Sequence, residues 1–360
     1  MTEGSTFVPE PSSYASDEGA LLVGIDLGTS RSAIAGVNGI RKMIESYVGW
    51  PKDPVALRHV KKNIVFGTEA LENRLSLWLF RPLERGVLKQ SLGEETGADP
   101  NMSDNEAARE LIRHLVHSAE PRRDQKVYGV IGVPAQASVK SKQALIDVAK
   151  DSMDAMMLVS QPFAVAYGLS MLDGSVVVDI GAGTIDLCRM HGTMPGEDDQ
   201  MSLPVAGDCV DRRFEELLRE RYPEAQFTIT MLKKIKESHG FVTGEVERVK
   251  ATFPSAGKPT EYDVTEELKT ACECVLNDVN DALHELIASF DPEFQEKLRG
   301  NIILSGGGSQ TVGLASRIKQ GLEDLGGANV HAIEEPLYAG ANGALRLAVD
   351  MPEEYWQRLS

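Results

Sequence analysis

Cysteine is scarce in this sequence and badly placed for chemistry. The four cysteines, Cys188, Cys209, Cys272 and Cys274, form no C-x-x-C pair and no zinc-ligand spacing. Cys272 and Cys274 lie two apart on a helix-periodic stretch, so they face different directions. Reduced thiols of a cytosolic protein are the expectation. The seven histidines show no metal spacing either. No apolar run approaches the roughly 18 residues that a membrane span needs. The first 19 residues, MTEGSTFVPEPSSYASDEG, hold no Lys or Arg and no apolar core, which speaks against a signal peptide and for a flexible acidic tail. Neither GxxxxGK(S/T) nor GxGxxG occurs, disfavouring a P-loop NTPase and a dinucleotide-binding Rossmann unit. Positive charge is in deficit, with 37 basic against 54 acidic residues and a net charge of −17. Binding a polyanion needs concentrated Lys and Arg, so no nucleic-acid partner is expected. A solvated acidic surface accounts for the charge, and a partner with a basic patch is the sharper alternative.

What is present is an ordinary globular composition, 42% hydrophobic and 25% charged, over 360 residues. That length suits two domains or one deeply split domain. The ordered part opens at ALLVGIDLGTSRSAIAGV, an apolar run into Asp26, a small-residue turn and a second apolar stretch, which reads as a β-hairpin. GSVVVDIGAGTIDLCRM repeats the pattern at Asp179, 179 − 26 = 153 residues later. Two similar halves are therefore expected, each opening with strand, turn and strand. VYGVIGVPAQAS reads as a buried strand ending at Pro134, KSKQALIDVAKDSM as a helix and AMMLVS as a short strand. Between 263 and 290, Val264, Leu268, Ala271, Val275, Val279, Leu283, Leu286 and Phe290 form one stripe and predict one long helix. NIILSGGGSQTVGLASRIKQGL follows as strand, glycine turn and helix, giving an α/β architecture.

Acidic strand ends followed by Gly/Thr turns have a physical use. Small residues let backbone N–H groups approach a phosphate, and hydroxyls add donors. An Asp beside them cannot bind phosphate, but it can hold magnesium or its water shell. One such turn is weak evidence; three in order, two of them repeated with an Asp, are strong.

DLGTSRSAI, VIGVPAQAS, VVVDIGAGTIDL, ILSGGGS and EEPLYAGANGAL resemble, in this order, the phosphate-1, connect-1, phosphate-2, adenosine and connect-2 motifs of the actin/Hsp70/sugar-kinase superfamily. The resemblance covers about residues 20 to 350. Outside those motifs, SYVGWPKD, IVFGTEALE, RPLERGVL, MPGEDDQ, SAGKPTEYDVTE and PEEYWQRL resemble the magnetosome-associated, MreB-like bacterial actins of the MamK type.

The resemblance implies an actin-like (RNase H-like) α/β fold, two domains around a nucleotide cleft, each with a smaller inserted subdomain. The expected division is 20–46, 81–172 and 339–360 as domain IA, 47–80 as IB, 173–207 and 260–338 as IIA, and 208–259 as IIB, after the tail at 1–19. It implies ATP or ADP with Mg2+. Gly28, Thr29 and Ser30 would hold phosphates, opposed by Gly181, Ala182, Gly183 and Thr184. Asp26 and Asp179 would serve the metal, Asp179 through water. Gly306, Gly307 and Gly308 would approach the adenosine. Lys236 and Glu237, in KKIKESHG, match positions where related actins contact base and ribose; a solvated charge pair on a helix explains them equally well.

LVSQPFAVAYG departs from the family at one position. The resemblance places a glutamate before the proline, where with the Thr of the phosphate-2 turn it positions the attacking water. Here that residue is Gln161, and Thr184 is the retained partner. Gln161, Thr184 and Asp179 are thus the catalytic candidates. A glutamine can hydrogen-bond water but cannot take up a proton. Losing a general base costs roughly 10²–10⁴ in rate, although some GTPases orient water with a glutamine. A second departure is Arg85 before Gly86 in RPLERGVL, where the family has DGV; a plain loop charge is the expectation.

The expected function is therefore an ATP-binding, self-assembling cytoplasmic cytoskeletal protein with slow ATP hydrolysis, organising magnetosomes. Copies of the chain are the main partner, with an actin paralogue and a magnetosome-surface connector as further ones. A small-molecule kinase on the same fold would need a catalytic Asp facing a sugar pocket, and none is evident. A pseudoenzyme co-assembling with an active paralogue is the third reading. An Hsp70-type chaperone is disfavoured because no substrate domain follows residue 350.

Overall fold

A computed structural model describes residues 19–89, 103–244 and 246–359. The tail expected at 1–19 lies, apart from Gly19, outside the described residues. The chain divides into two units, Met1–Leu172 with Leu337–Ser360, and Asp173–Pro336.

The first unit grows from LLVGIDL, which forms β1 (Leu21–Leu27), buried throughout except at Asp26. Such a continuous apolar run is what a strand covered on both faces requires. β2 (Arg31–Gly36) and β3 (Arg41–Glu45) follow antiparallel. Next come β4 (Val48–Pro51), α1 (Pro54–Val60), β5 (Val65–Phe66), α2 (Gly67–Glu72) and β6 (Leu77–Phe80). Their strands pair with one another in the order β5-β4-β6. β7 (Leu83–Glu84) and β8 (Val87–Leu88) make a small hairpin. α3 (Asp104–Ser118) starts at Ser103, whose hydroxyl accepts from the Glu106 N–H at 3.2 Å, an ordinary N-cap. β9 (Val127–Val133), α4 (Val139–Ala149), β10 (Ala155–Ser160) and α5 (Gln161–Gly168) complete this stretch. The main sheet runs β10-β9-β1-β2-β3, with β10, β9 and β1 parallel.

The second unit repeats the plan. β11 (Asp173–Ile180), β12 (Ile185–His191) and β13 (Gln200–Leu203) are successive antiparallel strands. α6 (Gly207–Arg221), α7 (Ile229–His239), β14 (Lys250–Ser255) and β15 (Lys258–Asp263) follow, the last two forming a separate two-stranded sheet. The predicted long helix is two, α8 (Thr265–Glu273) and α9 (Leu276–Ala288). The Cys274 N–H bonds to the Ala271 carbonyl, three residues back instead of four, and this tightened turn ends α8. The stripe survives the break: Val264, Leu268, Ala271, Val275, Val279, Leu283 and Leu286 are all buried. α10 (Gln295–Arg299), β16 (Ile302–Ser305), α11 (Leu314–Gly321) and β17 (Val330–Ala332) complete the unit. Its sheet, β13-β12-β11-β16-β17, has the same parallel and antiparallel pattern as the first. Asp26 and Asp179 therefore stand near the ends of equivalent strands.

The chain returns to the first unit with α12 (Ala339–Asp350) and α13 (Glu353–Leu359). α12 lies backbone to backbone on β1 and α5. A Cβ on Gly24 would overlap the Leu345 nitrogen, and one on Gly343 would overlap the Ala164 carbonyl oxygen. Only glycine permits that approach.

The MPGEDDQ segment joins β12 to β13 through a buried ion pair. Arg189 Nε donates to Asp199 Oδ1 at 2.9 Å, its NH1 donates to the Leu286 carbonyl at 2.7 Å, and its guanidinium lies 4.5 Å from the Phe290 ring centroid. Burial alone would raise the Asp199 carboxyl; hydrogen bonds from His191, the Gly196 N–H and Arg189 outweigh it and hold the group below its ordinary value. A depressed carboxylate stabilises the fold above its unfolded pKa of about 3.9 and loses that contribution as pH falls through the folded value. Asp199→Ala is expected to lower the unfolding free energy by about 3 kcal/mol at pH 7, because Arg189 is left buried and unpaired. In urea titrations the gap to wild type should narrow as the pH falls below the unfolded value of about 3.9.

Candidate functional site

In the first unit the Gly28–Ser30 turn is held by its carbonyls. Ser46 Oγ donates to the Gly28 carbonyl at 2.6 Å, Arg81 Nε to the Thr29 carbonyl at 2.8 Å, and the Ser46 N–H to the Ser30 carbonyl at 2.9 Å. The Gly86 N–H donates to Thr29 Oγ1 at 2.7 Å. Carbonyl and N–H point opposite ways across a trans peptide. With these carbonyls drawn into the protein, the amides of Thr29, Ser30 and Arg31 face the other way, an arrangement suited to an anion. Gly28 has an internal reason to be glycine, since a Cβ there would overlap the Arg31 carbonyl oxygen. Sequence reasoning missed Ser46 and Arg81. Arg81 lay in plain view in RPLERGVL, while nothing local marks Ser46.

Gln161 is the first residue of α5, followed by Pro162, and is only 6% exposed. Its Nε2 donates to Asp26 Oδ1 at 2.6 Å. The two residues expected at the metal and at the water are thus in direct contact.

The second unit uses the same device. The Gly207 N–H donates to the Gly181 carbonyl at 3.1 Å, the Asp208 N–H to the Ala182 carbonyl at 2.7 Å, and the Gly181 N–H to the Thr184 carbonyl at 3.0 Å. The first turn of α6 thereby captures the carbonyls of this turn and faces the Ala182 and Gly183 amides away. Asp179 Oδ1 accepts from Ser305 Oγ at 2.7 Å. Gly306 has φ +75°, and a Cβ there would lie 2.5 Å from the Ile180 carbonyl oxygen and 2.8 Å from Asp179 Oδ1. Gly308 sits against the Ile180 side chain, so Gly306, Gly307 and Gly308 run directly over the Asp179 hairpin.

Lys236 and Glu237 have separate surroundings. Lys236 Nζ lies 2.7 Å from Asp211 Oδ1 and donates to the Gly207 carbonyl at 2.8 Å, beneath the start of α6. Burial pushes the Asp211 carboxyl above its ordinary value, against the pull of Lys236. Glu237 faces Lys233 at 3.9 Å. Among the described residues no group of three or more His, Cys, Asp or Glu could hold a metal. A divalent cation at Asp26 or Asp179 would draw most ligands from water and phosphate oxygen, which suits Mg2+. Outward amides, Ser and Thr hydroxyls and one carboxylate per turn therefore fit a magnesium–phosphate ligand.

A family model described as MreB/Mbl protein matches residues 96–354. The actin-like protein MamK of Paramagnetospirillum magneticum is 41% identical over 339 residues, 94% of this chain and 95% of the relative. The chain belongs to the MamK actin-like family. The MamK double helical filament subunit superposes with a TM-score of 0.88 at 40% identity, over 93% of this chain and 100% of that one. A non-polymerising MamK mutant bound to AMPPNP matches with a TM-score of 0.69 at 40% identity, over 92% and 100%. The fold is actin-like.

Arg85 has a structural cost. Leu83 pairs with Leu88 and Glu84 with Val87, so Arg85 and Gly86 are a two-residue hairpin loop with φ +50° and +68°. Such loops favour Asn or Asp followed by Gly, because a larger residue is strained in the left-handed region. Arg85→Asn is expected to stabilise by about 1 kcal/mol, read as a higher urea midpoint with an unchanged slope.

Proposed function

We propose that this chain is an ATP-binding actin homologue that polymerises into cytoplasmic cytoskeletal filaments and hydrolyses ATP slowly. The observation that carries this reading is the likeness to the MamK filament subunit over 93% of the chain, at a TM-score of 0.88. The amide-presenting turns at Gly28–Ser30 and Gly181–Thr184 support it. In this reading Gly28, Thr29, Ser30, Gly181, Ala182, Gly183 and Thr184 bind phosphates, and Gly306, Gly307 and Gly308 pass close to the adenosine. Lys236 and Glu237 lie towards base and ribose. Asp26 and Asp179 hold Mg2+, through its water shell at Asp179; the ion supplies charge neutralisation at the phosphates. Residues 47–80 and 208–259 act as inserted subdomains.

Thr184 and Gln161 orient the attacking water. Gln161 accepts a hydrogen bond through Oε1 but cannot take the proton, so hydrolysis falls by roughly 10²–10⁴ relative to a site with a working base. Slow hydrolysis makes filaments that turn over slowly. By resemblance to the MamK type, the filament would organise magnetosomes, with a surface connector and an actin paralogue as further partners.

High-speed pelleting run in parallel with phosphate release, with ATP and Mg2+, tests this for wild type and Gln161→Glu. Wild type should pellet and release phosphate slowly, and the variant should release it at least 10-fold faster. A wild type that stays in the supernatant throughout removes the filament reading. Equal release rates remove the assignment of slow hydrolysis to Gln161.

A further inference from the structure

Asp26 and Asp179 stand on equivalent strands, but their parallel neighbours differ. Asp179 pairs with Ser305, whose hydroxyl donates to Asp179 Oδ1 at 2.7 Å. Asp26 pairs with Gly132, which has no side chain to offer. The Gln161 side chain crosses that gap from the start of α5, just past the end of β10: a Cβ on Gly132 would lie 3.1 Å from Gln161 Cγ, and Gln161 Nε2 reaches Asp26 Oδ1 at 2.6 Å. On the far side, a Cβ on Gly340, in the first turn of α12, would lie 2.7 Å from Asp26 Oδ2. Gly132 and Gly340 together leave room for a carboxylate–carboxamide pair that larger residues would displace.

An ionised carboxylate only accepts hydrogen bonds, which fixes the amide: Nε2 towards Asp26, Oε1 turned away. A glutamate in the same place would set two acceptor-only groups against each other in a nearly buried pocket, where like charges repel strongly. We propose that Gln161 is a positioning residue: its amide holds the Asp26 carboxylate and keeps this pocket stable without a cation, where a glutamate would make the pocket depend on one. This deepens, and rests on, the reading of Asp26 and Gln161 as parts of a magnesium–nucleotide site. It also explains which atom of Gln161 meets the water, since the Asp26 contact leaves Oε1 as the acceptor.

The test is thermal unfolding of the full chain without nucleotide, in EDTA and in MgCl2. The proteins are wild type, Gln161→Glu, Gln161→Leu, Asp26→Asn and the double variant Asp26→Asn with Gln161→Glu. In EDTA, Gln161→Glu should melt at least about 3 °C below wild type, and Mg2+ should restore most of that loss while barely moving wild type. Gln161→Leu loses the donor without adding charge, so its loss should not respond to Mg2+. Asp26→Asn should raise the melting temperature in the Gln161→Glu background, because its amide can donate to the new carboxylate, and should not raise it in wild type. That change of sign, and the Mg2+ response, are effects that a purely packing role for Gln161 would not produce. If Gln161→Glu is too unstable to melt in EDTA, its refolding by Mg2+ or by Asp26→Asn is the same readout. Gln161→Glu as stable as wild type in EDTA overturns the proposal, as does a loss that neither Mg2+ nor Asp26→Asn relieves. These melts contain no ATP, so their failure is separate from a failure to pellet.

Discussion

A trans peptide cannot direct its carbonyl and its N–H to the same side, and one glycine turn in each unit depends on that constraint. In each unit the protein takes hold of the carbonyls of a short glycine turn, and the amides are left facing outwards. Ser46 and Arg81 do this for Gly28, Thr29 and Ser30; the first turn of α6 does it for Gly181 and Ala182. The amides are thus oriented by contacts made behind them. Such preorganisation is worth more than the same amides on a mobile loop, since no ordering cost falls at the moment of binding.

The two halves share a sheet plan but solve one local problem differently. Each has an aspartate near the end of its central strand that needs a neutral donor. In the second half the donor is Ser305, on the adjacent strand. In the first half the adjacent residue is Gly132, and the donor is Gln161, from the first turn of α5. The two carboxylates are therefore held by different chemistry, a hydroxyl in one half and a carboxamide in the other.

Much of this was legible in the sequence because it is local. Apolar runs ending in Asp and a small-residue turn specify a strand–turn–strand unit, and both hairpins form where DLGTS and DIGAGT lie. The stripe from Val264 to Phe290 correctly marked a buried face, yet periodicity is blind to one shortened hydrogen bond, so the division at Cys274 was not visible. The contacts that orient the site were illegible for a different reason. Ser46 reaches Gly28 across 18 residues, Arg81 reaches Thr29 across 52, and Gln161 reaches Asp26 across 135. Each joins residues at loops or element ends that only the whole folded unit brings together. Gln161 could be singled out by its place before Pro162, but its partner could not.

Long-range contacts of the same kind tie the Gly181–Ala182 turn to the start of α6. Gly207 and Asp208 are at once the first turn of α6 and the donors to that turn, while Lys236, from α7, closes on the Gly207 carbonyl and on Asp211. Any displacement of the Gly181–Ala182 peptides must either break two backbone hydrogen bonds or carry the start of α6 with them. Lys236 extends that choice to α7, because its two partners lie on α6 and Asp211 is buried. Leaving Asp211 unpaired would strand a buried carboxyl, so moving the helices together costs less than separating them. A ligand that shifts this turn is thereby mechanically connected to α6 and α7, through bonds that are cheaper to transmit than to break.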